Sequence, residues 1–370
     1  MNFDLSDEQR LLQDTARDWF GTRYAPADMR RRLDGGGDAG DHTRALAEMG
    51  FLGMLVDPDH GGGGLTALDL AVVAEEAGRV LASVPLVSTA AHAVTLLRAS
   101  ASGAAGELLR EVAAGRVVVA VIEGGNLQAS PAGERWQLDG LSHAALDATR
   151  ASHLLVVADA EGGPALLVVD PQGAGVELVT PPAMDPTRAL ARVHFDGATA
   201  QLLALGDSVA HAAARARQVA SAILSAEDLG AAQRCVELAV EYAQNRVAFG
   251  RAIGSFQAIK HMCVDMFVLV ESLRSLVWFA AWAADGDPAQ LPLAAAATRA
   301  HAADAFEQCA ATLIQVHGGI GFTWEHDSHL FWRRAKVDRL LFGDAAGHRD
   351  QVAEIALQSI AEPRHALSAR

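Results

Sequence analysis

The hydrophobic period of this chain changes twice, from helical to strand-like and back to helical. Segregated blocks of that kind exclude an alternating βαβ sheet and call for helical and sheet regions that each bury a face of their own. In the first block, Ser6-Asp7-Glu8-Gln9 is a capping box, and Leu12, Ala16, Trp19 and Phe20 follow on one helical face. A Gly- and Asp-rich loop over 34–41 leads to a second helical stretch ending near Met49-Gly50, and helical spacing returns over 66–91 and 107–114. Between Val117 and Leu205 the texture becomes short apolar runs, at 117–122, 153–158, 165–169 and 191–195, separated by turn formers. The runs 154–158 and 165–169 flank a turn cluster and predict a hairpin. Long helical patterns then cover 212–245, 255–284 and 292–316, each with the wide apolar face of a bundle helix. At 370 residues the chain is longer than one core usually serves. The expectation is an α+β chain with an N-terminal helical domain (1–115), a middle, small antiparallel β domain (116–205) and a C-terminal four-helix bundle (206–370).

Charge and composition narrow the partners. With 45 acidic against 30 basic residues the net charge is −15, which counts against a duplex nucleic-acid surface built on clustered Lys and Arg. No apolar run reaches the length of a membrane span, since the longest, at 276–284, stops at Asp285. The start, Met1-Asn2-Phe3-Asp4-Leu5, carries no export pattern, so a cytoplasmic setting is expected. Cys235, Cys263 and Cys309 are scattered without zinc or disulfide spacing and read as buried free thiols.

Few motifs carry chemistry on their own. Gly61 to Gly64 lacks the Lys-Ser/Thr of a phosphate loop and reads as a flexible connector. Glu325, His326 and His329 have ligand-like spacing but no third clear ligand or intervening general base, so no metal is expected. Arg333, Arg334, Lys336 and Arg339 read as a solvated helix face pairing with Asp338 or Asp327. Two stretches stand out. Around Arg246, Phe249 and Gln257 a long helix ends in a basic, glycine-broken turn, where an Arg, an aromatic and an amide suit an anionic aromatic ligand. Around Gln315, Gly318 and Gly319 a helix runs into three glycines in four positions, more than a C-cap needs. Plain helix termination remains open for both.

These two stretches, Arg246-x-x-Phe249-Gly250-x-x-Ile253-Gly254-x-Phe256-Gln257-Ala258-Ile259-Lys260-His261 and Gln315-Val316-His317-Gly318-Gly319-Ile320-Gly321-Phe322-Thr323, resemble the acyl-CoA dehydrogenase family. The helix, strand, helix order matches that family's plan over almost the whole chain. The resemblance implies a flavoprotein acting on an acyl-CoA thioester, in which a carboxylate takes the α-proton and FAD accepts hydride from Cβ. It further implies that Arg246, Phe249, Gln257, Gln315 and the Gly318-Gly319 backbone contact the ADP half of FAD, reaching the FAD of a neighbouring subunit in an oligomer.

The chain also departs from the family pattern. Phe342 stands where the family's catalytic glutamate is expected, and Ala220 stands near the position some members use instead. Asp344 is the nearest carboxylate, a candidate base two residues late and one methylene short, with a loop or capping role as its ordinary reading. The loop over 121–130 and the segment over 141–148, which correspond to the family's flavin- and substrate-binding loop and the strand beside the flavin ring, have lost the usual residues. Retained ADP motifs beside degraded ring motifs resemble the subunits of the heteromeric actinobacterial enzymes of steroid side-chain degradation. The expected role is the non-catalytic partner of a homologous subunit in a heterotetramer. The alternatives are a homo-oligomeric dehydrogenase using Asp344 and a redox-inactive structural or ligand-binding relative.

Overall fold

The computed structural model describes residues 4–24, 30, 42–182, 184, 185 and 187–361, with backbone alone for 359–361; the loop read over 34–41 lies outside the described residues. Helix α1 (Asp7–Arg23) starts at the expected box: Ser6 Oγ accepts the Gln9 N–H, and the Gln9 side chain accepts the Ser6 N–H. Its apolar face buries Ala16, Trp19 and Phe20. Helices α2 (Thr43–Glu48) and α3 (Ala67–Arg79) follow. A π-helical turn, Leu86–Ala93, then runs into α4 (Val94–Arg98) and α5 (Gly103–Ala113). The Gly61 to Gly64 run is a built turn and not a loose connector. Its amides bond back to Asp57, Gly53 and Val56, and a Cβ on Gly62 would fall 2.1 Å from the Val56 carbonyl oxygen.

The middle region is an eight-stranded sheet. It comprises β1 (Val119–Ile122), β2 (Gln128–Ala132), β3 (Arg135–Leu141), β4 (Ala145–Leu146), β5 (His153–Ala160), β6 (Ala165–Val169), β7 (Val176–Val179) and the long β8 (Leu190–Leu205). The predicted hairpin forms with Leu154 opposite Val169 and Ala158 opposite Ala165. The sheet is mixed where an antiparallel one was expected: β1 and β2 both pair parallel with β5. These parallel pairings follow from the turn after β1, which sends β2 to lie beside the far end of β5, while the other pairings are antiparallel.

Helices α6 (Asp207–Asn245), α7 (Gln257–Gly286) and α8 (Leu291–His317) form the bundle, completed by α9 (Ser328–Asp338) and α10 (Ala345–Ala361), which both pack on α8. One continuous apolar core runs through the N-terminal helices and the bundle, whereas the sheet encloses a second core of its own. Among the described residues no helix is long and apolar enough to cross a membrane. Cys235 and Cys309 are buried and Cys263 is half-buried.

Helices α3 and α6 cross at backbone contact. A Cβ on Gly78 would lie 1.9 Å from the Glu227 carbonyl oxygen, and one on Gly230 would lie 1.8 Å from that of Glu75. Only glycine permits the approach. Beside the crossing lies a buried ion network. Arg188, on the segment leading into β8, donates to both oxygens of Asp338 at 2.9 and 2.7 Å and to Glu227 at 2.6 Å. Arg334 donates to Asp185 at 2.5 Å, Thr187 at 2.6 Å and the Leu81 carbonyl at 3.1 Å. Arg299 pairs with Asp228 and donates to the Asp338 carbonyl at 2.7 Å. The network corrects the reading of the basic helix as a solvated face: Arg334 is 2% exposed, Lys336 and Arg339 pair with Glu307, and Arg333 lies over Trp324.

Burial, reinforced by Asp338, outweighs Arg299 and pushes Asp228 up to about 7. The folded chain then keeps a proton that the unfolded chain releases near 3.8. Stability from this group is full below that value and is lost as pH rises through about 7. Asp228→Asn, a neutral isostere of the protonated carboxyl, is expected to flatten the stability–pH curve between about pH 4 and 7, as read by urea denaturation at several pH values. Gly230→Ala is expected to cost about 3 kcal/mol in the same assay by forcing the crossing apart.

Candidate functional site

The three places where the sequence departs from the acyl-CoA dehydrogenase pattern converge in space. Val121 in β1, Glu123 and Gly124 just after it, residues 143–146 around β4, and residues 340–343 after α9 line one cavity of about 390 Å³. Its remaining walls are Ser88 and His92 from the π-helical turn and Arg217 from α6. Phe342 takes a left-handed backbone, φ 61°, and sets its ring edge-on to His92 with centroids 5.4 Å apart. Asp147 is also left-handed, φ 61°, and is held by Ser88 Oγ at 2.5 Å and Arg150 at 3.0 Å.

Glu123 and Arg217, which sequence reasoning did not single out, dominate the polar lining. The guanidinium donates through Nε and Nη2 to the two carboxylate oxygens at 2.9 and 2.7 Å. Burial alone would push Glu123 up; the hydrogen bonds from Arg217, helped by His92, override it and hold the carboxylate below its usual range. Behind the pair, His92 Nε2 lies 3.8 Å from Glu123 Oε1 and has no hydrogen-bond partner among the described residues. Burial holds this imidazole below its usual value, so it is neutral near pH 7.

Asp344 does not line the cavity. It sits at the start of α10, where its Oδ1 accepts the Gly347 N–H at 2.8 Å. Ala220 is buried in α6. The cavity therefore offers no free carboxylate facing an open space. A flavin ring presents mainly hydrogen-bond acceptors and needs donors around it; here the strongest donor, Arg217, is spent on Glu123. The residues present do not fit the ring.

The other sequence-derived residues gather at one end of the bundle. The Tyr242 and His317 rings stack at 4.1 Å, bringing the C-terminal ends of α6 and α8 together. Arg246 caps α6 and makes no ion pair among the described residues. Phe249 is 93% exposed with φ 54°, and Gln257 opens α7. Gln315 lies in the last turn of α8 before Gly318 and Gly319, and a Cβ on either glycine would meet no atom within 4 Å. An unpaired cation, an open aromatic face and bare backbone suit an anionic ligand with an aromatic head, such as the ADP half of FAD. Around them Phe322, Trp324 and Ile320 are also exposed, as are Val264, Phe267 and Val268 on α7. Exposed apolar side chains of this kind mark an interaction or ligand-binding surface. His326 packs on His317 and accepts from Ser328, and no group of three metal-ligating side chains occurs among the described residues.

Comparison with known proteins agrees with this geometry. The model of the acyl-CoA dehydrogenase N-terminal domain matches residues 6–116, and that of the acyl-CoA dehydrogenase C-terminal domain matches residues 209–357. The chain is 33% identical over 331 residues to the acyl-CoA dehydrogenase IpdE2 of Mycobacterium tuberculosis, covering 89% of this chain and 91% of that protein. Among solved structures, a variant of the Tcur3481-Tcur3483 steroid ACAD superimposes with a TM-score of 0.87 at 27% identity, covering 96% of this chain and 99% of that one. A chain of the ChsE4-ChsE5 complex from Mycobacterium tuberculosis shares the fold, with a TM-score of 0.87 at 24% identity over 98% of this chain and all of the other.

If Asp344 is a helix cap, Asp344→Ala costs about 1 kcal/mol in urea denaturation and Asp344→Asn, which caps as well, costs little. Equal losses for the two variants would contradict the capping role.

Proposed function

Because the chain belongs to the acyl-CoA dehydrogenase family, we propose that it is the non-catalytic subunit of an FAD-dependent heteromeric acyl-CoA dehydrogenase. The family reaction is oxidation at a CH–CH group, and its enzymes depend on FAD. The observation that carries the proposal is the contrast between the two sites: in the cavity expected to hold a flavin ring Arg217 is engaged by Glu123, while the bundle end expected to hold ADP is exposed and keeps its motif residues. Arg246 offers charge-assisted bonds to a diphosphate, Phe249 a stacking face, Gln257 and Gln315 amide contacts, and Gly318-Gly319 backbone amides that a side chain would obstruct. When bound, FAD supplies the hydride acceptor, and in this reading the ring and the base belong to the partner.

The partner is a homologous acyl-CoA dehydrogenase subunit, in keeping with the paired names of the similar steroid ACAD and the ChsE4-ChsE5 complex, and two of each chain would make a heterotetramer. The substrate is an acyl-CoA, of the steroid-derived class by analogy with the steroid ACAD, and the setting is cytoplasmic. No observation favours the homo-oligomeric reading through Asp344.

Expressed alone, the chain is expected to carry no flavin that an acyl-CoA reduces; co-expressed with the homologous subunit, it forms a complex that does. Arg246→Ala in that complex is expected to weaken FAD retention about 10-fold or more, as read by flavin fluorescence after dialysis. Turnover by the chain alone, or retention unchanged in the variant, would overturn the proposal.

A further inference from the structure

We infer that Glu123 and Arg217 form an interdomain strut, which holds the sheet region of this chain on its helical bundle with no flavin ring between them. The inference rests on the reading above, in which the ring site of this chain is lost. Glu123 follows β1 directly, and Arg217 lies on α6, 94 residues later. The pair is part of the cavity wall and joins the loop after β1 to α6. Among the described ion pairs, the sheet region is tied to the bundle in two places: the buried Asp185 and Arg188 segment, and this pair.

The loop that carries Glu123 is fitted to its place. A Cβ on Gly124 would meet the His143 ring at 2.5 Å, and one on Gly125 would fall 2.1 Å from the Leu141 carbonyl oxygen. The loop is thus pressed against the 141–146 segment, and its one long polar side chain turns toward α6. Beyond the carboxylate, His92 and the Phe342 ring close the wall. The planar, two-pronged contact constrains orientation as well as distance, which a mechanical tie requires and a chance surface pair lacks.

The two halves of the strut are unequally exposed, and that makes the idea specific. The Glu123 side chain is 16% exposed and the Arg217 side chain 49%. Removing the carboxylate leaves a guanidinium that water can solvate; removing the guanidinium leaves a largely buried carboxylate without a partner, beside a neutral imidazole. A strut therefore predicts an asymmetric pair of variants. Arg217→Gln is the more disruptive, Glu123→Gln the milder, and the double variant resembles Glu123→Gln. Arg217→Lys, a point charge without the fork, falls between wild type and Arg217→Gln.

The test uses the co-purified complex of full-length chains, with amide hydrogen exchange over residues 123–127 and 143–148, melting temperature and FAD content read together. In Arg217→Gln we expect exchange in these segments about tenfold faster or more and a lower melting temperature, with FAD per complex unchanged. If Arg217→Gln does not assemble, Arg217→Lys carries the test, with exchange faster than wild type and faster still at high salt. Wild-type exchange in the assembled Arg217 variant sinks the strut. So does a gain of FAD, which would make the pair a plug that keeps the ring out. A wild-type complex holding one FAD for every chain overturns the underlying reading, whereas one FAD per pair of unlike chains with unperturbed variants overturns the strut alone.

Discussion

Three arginines and four carboxylates buried at the meeting point of the helical and sheet regions hold the rest of this structure in place. Arg188, Arg299 and Arg334 bind Asp185, Glu227, Asp228 and Asp338 across segments that lie up to 150 residues apart in the chain. Such a network contributes less net stability than an apolar core of equal volume, but it punishes every misplacement, since a displaced segment leaves a charge buried without its partner. It therefore fixes register. Asp338 ends α9, so the network also sets where the chain emerges into residues 340–343 and hence where Phe342 stands. The glycine contacts of α3 and α6 serve the same end by seating Gly78 against the Glu227 backbone and Gly230 against the Glu75 backbone.

On that frame the two candidate sites of the chain differ in how far their polar groups are engaged. At the bundle end Arg246 makes no ion pair among the described residues, Phe249 is exposed and the backbone at Gly318 and Gly319 is bare, features in keeping with the proposed contact to a partner's ligand. At the domain junction Arg217 binds Glu123 and Ser88 binds Asp147, while His92 Nε2 has no hydrogen-bond partner among the described residues. With its guanidinium engaged, this cavity has lost its strongest donor to a cofactor ring. In the proposed role the same chain is silent in its own cavity and useful at a neighbour's.

Local signals were legible in the sequence to the extent that their physics is local. The Ser6 to Gln9 capping box and the hairpin of β5 and β6 appear where the pattern placed them, because capping and alternation act over a few residues. Strands β2, β3 and β7 escaped notice because they are half-exposed and carry no apolar run, their pairing being supplied by neighbours. Arg334 looked like part of a solvated basic face, since its partners Asp185 and Thr187 are 149 and 147 residues away. The glycine run at 61–64 looked loose because the Val56 carbonyl that forbids a side chain there cannot be seen in a sequence pattern. At the site, motif residues could be recognised one by one, whereas Glu123 and Arg217 become a pair only when the fold brings β1 and α6 together.

The central claim is that one flavin serves two unlike chains, with its ring in the partner and its ADP end against Arg246. The most direct measurement is the molar ratio of FAD to each chain in the purified complex of this protein with the homologous subunit, from flavin absorbance and quantitative amino-acid analysis. The account predicts one FAD per pair of unlike chains. Two FAD per pair, with the second reducible by acyl-CoA, would contradict it.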